Sequence, residues 1–131
     1  MTFVPASWPT GRSSERDFCT PFYGYNKAGA KVSEGVRESF GRQGMMAGFP
    51  AAYICVKAFS ETDQTGDLKK INVPTLIIHG EANQIVPFSD AGMFQAKLIK
   101  HAHIRVYPGA PGLCTTEKAK LNADLLAFIK G

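Results

Sequence analysis

The 131-residue chain has no long apolar run, no cysteine-pairing motif and no concentration of charge. No stretch approaches the ~18 to 20 apolar residues that a membrane span needs, so no membrane partner is expected. The opening "MTFVPASWPTGRSSERDF" has neither the charged start nor the apolar middle of a secretory signal, and a cytoplasmic location is expected. Cysteine is scarce: Cys19, Cys55 and Cys114 are odd in number and show no C-x-x-C spacing. That excludes a disulfide frame or a zinc cluster and predicts reduced thiols that are small, buried or half-buried side chains. The net charge is only +4, with bases and acids interleaved from Arg12 to Lys130. No stripe tracks phosphates, so no nucleic-acid partner is expected. Internal repeats and low-complexity tracts are also missing.

What is present is the composition of one soluble globular domain, 44% hydrophobic and 20% charged with 13 Gly and 8 Pro. Residues 1–16 hold two prolines, a glycine and a Ser-Ser pair without helical or strand period, and read as an irregular arm. The aromatic, turn-rich "DFCTPFYGYNKAGA" follows. "KVSEGVRESFGR" predicts a helix with Val32, Val36 and Phe40 on one face, ended by Gly41 and Gly44. Phe49, Ala52, Tyr53, Val56 and Phe59 then recur at three-and-four spacing on a second helix. Pro50 suits its first turn, with a kink near Gly48 and Pro50 if Met45 and Met46 are helical too.

From Val73 the pattern changes. "VPTLIIHG" is a short apolar run bounded by Pro74 and Gly80, suiting a parallel strand buried on both faces. "SDAGMFQAKLIKHA" predicts a helix with Ser89 as N-cap and Ala91, Phe94, Leu98 and Ile99 facing inward, and "HIRVYP" a second strand. The spacing permits a right-handed crossover and hence one βαβ unit. A last helix over 116–130 places Leu121, Leu125, Phe128 and Ile129 on one face and stops at Gly131.

From about Asp17 to Gly131 these residues resemble the C-terminal portion of the cofactor-free haloperoxidase, perhydrolase and aryl esterase branch of the α/β-hydrolases. "DFCTPFYGYNKAGAKVSEGVRESFGRQGMMAGFPAAYICVKAFSETDQTGDLKKINVPTLIIHGEANQIVP" and "AKLIKHAHIRVYPGAPGLCTTEKAKLNADLLAFIKG" carry the likeness. The resemblance implies an α/β fold: a truncated α/β-hydrolase with cap-derived helices over residues 17–72, and a strand-helix-strand-helix core over 73–131. It implies no cofactor and no metal. Two parallel strands suited to a larger sheet would expose backbone groups, so the sheet is expected to be completed by homo-oligomerisation or segment exchange.

The same resemblance implies a nucleophilic serine on a G-x-S-x-G elbow, and none occurs here. "KVSEG" at Ser33 lacks the first glycine and falls in a cap helix. The family's acid lies in H-G-D-x-D-Q-I-V-P, where this chain reads "HGEANQIVP", so Glu81 keeps the first acid and Asn83 takes the triad-acid position. An amide cannot stabilise an imidazolium by charge; in a Ser-His-Asp triad this exchange costs about 10⁴ in turnover. The family's histidine lies in A-P-H-G-L, whereas Ala110-Pro111-Gly112-Leu113 passes straight from Pro to Gly. The imidazole is deleted rather than replaced.

The remaining candidates are weaker. His79 matches a family histidine that is not the base and is expected in a core or supporting role. His101 and His103 share a strand face, yet two ligands without a third make a poor metal site. Glu81 with Asp90 or Asp63 forms no evident acid-base pair, and Cys114 has no neighbouring base to activate it. Ile85, Val86 and Phe88 fall where the family's acyl-pocket wall lies, near aromatic Phe22, Tyr23 and Phe59, and are the candidate ligand-binding residues. Three readings follow: an inactive, self-associating hydrolase fragment; a serine hydrolase half-site completed by another chain; and an apolar small-molecule binding module.

Overall fold

A computed structural model describes residues 19–30 and 32–131; the arm read at 1–16 lies outside them. A helical segment at residues 19–23 leads through turns to α1 (Glu34–Met46), α2 (Phe49–Glu61) and α3 (Thr65–Lys70). Then come β1 (Thr75–Gly80), α4 (Gly92–Leu98), β2 (Ala102–Tyr107), α5 (Leu113–Thr116) and α6 (Lys118–Lys130).

The first helix does not end at Gly41 or Gly44: α1 continues to Met46, with Gly41 buried inside it. Proline decides the boundary. The Pro50 ring would strike the carbonyl four residues earlier, that of Met46, if the helix continued. The chain instead leaves the helix at Ala47 and Gly48, both extended, and Pro50 enters the first turn of α2, where its missing N–H costs nothing. Val32 precedes α1, so the expected stripe shortens to Val36 and Phe40. The apolar stripe of α2 is not a packed face either, for Tyr53 and Phe59 are 62% and 67% exposed and only Val56 is half-buried.

The two strands pair in parallel, in a register running from Thr75 opposite Ala102 to Gly80 opposite Tyr107. Opposed residues share a face of the sheet. Ile77 with Ile104 and His79 with Val106 therefore look one way, and Leu76 with His103 and Ile78 with Arg105 the other. Helix α4 packs on both strands. Helix α6 meets β2 through Phe128, whose ring centroid lies 6.3 Å from that of His103, and through Asp124, which accepts a 2.5 Å hydrogen bond from the Tyr107 hydroxyl. The strand expected to be buried on both faces is mostly half-buried, with only Ile77 and Gly80 fully enclosed.

Five further expectations are corrected. Ser89 does not cap α4: its hydroxyl bonds the Asp90 carboxylate at 3.0 Å, and the helix begins after Ala91. Phe94 points outward at 47% exposure, whereas Ile99 is buried at 5%. The terminal helix is two, because Glu117, at φ −120° and ψ 24°, separates α5 from α6. On α6, Leu121 and Phe128 are half-buried, but Leu125 and Ile129 are exposed. All three cysteines are free; Cys19 is buried as expected, Cys55 and Cys114 are not.

The buried apolar residues among those described are Cys19, Ile77, Ile99, Tyr107, Ala110 and Leu113, so the core gathers near the carboxyl end of β2. Tyr107 anchors it: its ring is 1% exposed and Lys120 Nζ lies 4.5 Å from the ring centroid. Burial first, then donation to Asp124 and that residue's negative charge, push the phenol from 10.0 up to about 12. The folded chain therefore holds this proton more tightly than the unfolded chain. The resulting stability is complete below pH 10 and is lost as pH rises through about 12. Tyr107→Phe is expected to lower unfolding stability by about 1 to 2 kcal/mol in urea titrations at neutral pH. It should also remove the part of the decline above pH 10 that this phenol causes.

Candidate functional site

Ligands of parallel α/β sheets sit beyond the carboxyl ends of the strands. Here those ends are bound together. Glu81 N–H donates to the Tyr107 carbonyl at 2.7 Å, and Ala82 N–H to the Gly109 carbonyl at 3.1 Å. The loops starting at residues 81 and 108 thus continue the strand pairing past the sheet. The closeness depends on Gly80, where a Cβ would overlap the Gly109 carbonyl oxygen.

Asn83, expected at the acid position, folds its own loop. Its side-chain oxygen accepts from Ile85 N–H at 3.0 Å and Val86 N–H at 2.9 Å, and its backbone N–H donates to the Gly80 carbonyl at 3.1 Å. This is an Asx turn, a role open to Asn or Asp alike. His79 braces the far side of that loop: Nε2 lies 3.0 Å from the Val86 carbonyl oxygen and the ring centroid 5.5 Å from that of Phe88. Gly92 admits this packing, because a Cβ there would come within 3.0 Å of both His79 and Phe88. Ile85, Val86 and Phe88 are accordingly half-buried parts of a turn folded upon His79.

The loop of residues 108–112 lies across the corner. Gly112 N–H donates to the Phe22 carbonyl at 2.8 Å, and a Cβ on Gly112 would overlap the Tyr23 ring. Gly24, at φ +76°, has room for no more than a tight contact with the Ala110 Cβ. Beyond it Asn26 Nδ2 donates to Gln84 Oε1 at 3.0 Å and Lys27 Nζ to the Ala82 carbonyl at 3.4 Å. The segment 22–27 therefore seats on both loops at once. Phe22, Tyr23 and Phe40 form a ring cluster with centroids 5.0 to 5.6 Å apart. Phe59, expected nearby, is solvent-exposed; Phe40 of α1 supplies the third ring instead. The Tyr23–Gly112 contact has no signal in the sequence, since no spacing or motif joins the two residues.

The other candidates remain apart. Glu81 is exposed; Asp90 engages Ser89; Asp63 accepts from Thr65 N–H at 2.9 Å, and its contacts with Thr65 lower its pKa. Cys114 sits exposed on the one-turn α5. His101 and His103 are exposed at the opposite end of β2. Four residues at ~3.3 Å each put His103 about 13 Å from the strand's carboxyl end. Among the described residues no group of three His, Cys, Asp or Glu is placed to hold a metal, and no helix is long and apolar enough to cross a membrane.

The chain is 52% identical over 111 residues to a non-heme chloroperoxidase of Burkholderia pyrrocinia, covering 84% of this chain and 40% of that one. The chain matches a segment of haloperoxidase-type α/β-hydrolases. A bifunctional esterase/perhydrolase of Acinetobacter calcoaceticus is 54% identical over the same shares. The crystal structure of a bromoperoxidase from Bacillus anthracis superposes with a TM-score of 0.87 at 31% identity, over 92% of this chain and 44% of its own. No family model matches. The chain thus spans about 40% of the length of these curated relatives.

Asn83→Ala in this segment removes one acceptor shared by two backbone donors and is expected to cost about 1 to 3 kcal/mol. Asn83→Asp keeps the acceptor and should stay within about 0.5 kcal/mol of the parent. Thermal melts of both variants check this.

Proposed function

We propose that the chain is a non-catalytic α/β-hydrolase segment whose role is structural association with copies of itself. The observation that carries this reading is the Tyr23 ring lying against Gly112, where the family likeness calls for an imidazole. Acyl transfer by a serine hydrolase needs a base within hydrogen-bond reach of its nucleophile. His79 is turned to the Val86 carbonyl, and His103 lies a strand's length from the corner. The Asn83 amide oxygen is already shared by two backbone donors and brings no charge. These internal features stand whatever chain flanks the 131 residues.

Association is supported by what stays uncovered. Among the described residues Met46 is 86% exposed, Ile129 77% and Phe59 67%. Apolar surface of this kind drives pairing with other chains.

The purified chain is expected to hydrolyse 4-nitrophenyl acetate no faster than buffer, to take no fluorophosphonate label on serine, and to scatter light with the mass of two or more chains. Ester turnover with a labelled serine would overturn the first half of the reading. A well-folded monomer at micromolar concentration would overturn the second.

A further inference from the structure

The turn over residues 83–86 is arranged to change its own chemistry. An asparagine side chain is open to attack by the backbone nitrogen of the next residue, which closes a succinimide ring and expels ammonia. Two things govern that step: how readily charge develops on the side-chain oxygen, and whether the attacking nitrogen is available. Asn83 Oδ1 faces two backbone donors, Ile85 N–H at 3.0 Å and Val86 N–H at 2.9 Å. Preorganised N–H groups at this range stabilise a developing oxyanion. The fold holds them in place, whereas in an unfolded chain solvent must reorganise to do the same. The attacking group is available as well. Among the described residues the Gln84 N–H meets no acceptor, and Gln84 is exposed to the water that takes its proton.

The other asparagines, Asn26, Asn72 and Asn122, lack this combination. After Asn26 the Lys27 N–H is tied to the Gly24 carbonyl at 3.0 Å. Asn122 lies inside α6, where the following amide belongs to the helix ladder. Asn72 precedes Val73, whose branched Cβ crowds its own nitrogen.

We propose that Asn83 is a site of self-deamidation, with the turn serving as an oxyanion hole for its own side chain. The Gln84 nitrogen gives its proton to water or hydroxide and bonds to Asn83 Cγ, while negative charge rises on Oδ1 between the Ile85 and Val86 amides. The Cγ–Nδ2 bond then breaks, and ammonia leaves with a proton from solvent. Water next opens the ring. Cleavage between Cγ and the Gln84 nitrogen restores the peptide and leaves aspartate; cleavage on the backbone-carbonyl side leaves an isoaspartyl link. One water is consumed and one ammonia released, with no other reactant. Aspartate offers an oxygen to the same two amides, so that product keeps the turn while the net charge falls by one from +4. The corner passes from neutral to anionic under an unchanged fold.

The test holds the purified chain in mildly alkaline buffer, folded in one sample and guanidinium-denatured in another. Peptide mass mapping follows amide-to-acid conversion at each asparagine, with isoaspartyl content measured alongside. Asn83 is expected to convert at least about fivefold faster in the folded chain than in the denatured one, and ahead of Asn26, Asn72 and Asn122. A folded chain in which Asn83 converts no faster than in the denatured one overturns the proposal. Gln84→Pro removes the attacking N–H and should abolish conversion at position 83; conversion that persists there overturns the ring step. Ile85→Pro removes one of the two donors and should slow the reaction. The folded and denatured parents need no substitution, so their comparison decides the matter even if a proline variant fails to fold.

Discussion

The parallel pairing of β1 with β2, carried past the sheet by the Glu81 and Ala82 amides, is the constraint on which the structure depends. It draws the loops of residues 81–88 and 108–112 to one corner, and their contents follow from that closeness. Gly80 and Gly109 meet backbone to backbone where no side chain fits. Tyr107, at the end of β2, is clamped from α6 by Asp124 and Lys120, so the strand end and the last helix share one anchor. Segment 22–27 then seats on the finished corner with hydrogen bonds to both loops.

Haloperoxidases and esterases with this fold are similar to the chain over 84% of its length, and the superposition on a bromoperoxidase is close. The scaffold of that branch is thus matched over this region. The Tyr23 ring, packed edge-on against Phe22 and Phe40, fills the space beside Gly112 by contact with the glycine itself. Aromatic residues are well suited to this, because two dihedrals fix a large apolar volume.

Much of this was legible in the sequence. The run "TLIIHG" and the "HIRVY" stretch marked both strands because β-branched residues were bounded by breakers, and Pro50 marked a helix start because its ring forbids any other place in a helix. Less legible was anything set by packing. Gly41 and Gly44 read as stops, yet glycine only weakens a helix and the stop came from the proline farther on. The stripe on α2 has the right period, but periodicity says which residues share a face, not whether something covers it. Ser89 has the chemistry of a cap and spends it on Asp90. That Asn83 would fold its own loop and that Tyr23 would lie on Gly112 required the fold.

Position 83 shows how loosely a fold can hold the charge of one of its own turns. The turn there needs one side-chain oxygen at the right reach, and both an amide and a carboxylate provide it. Folding fixes the place of that oxygen and leaves its charge open, so the same corner can be built around a neutral or an anionic group.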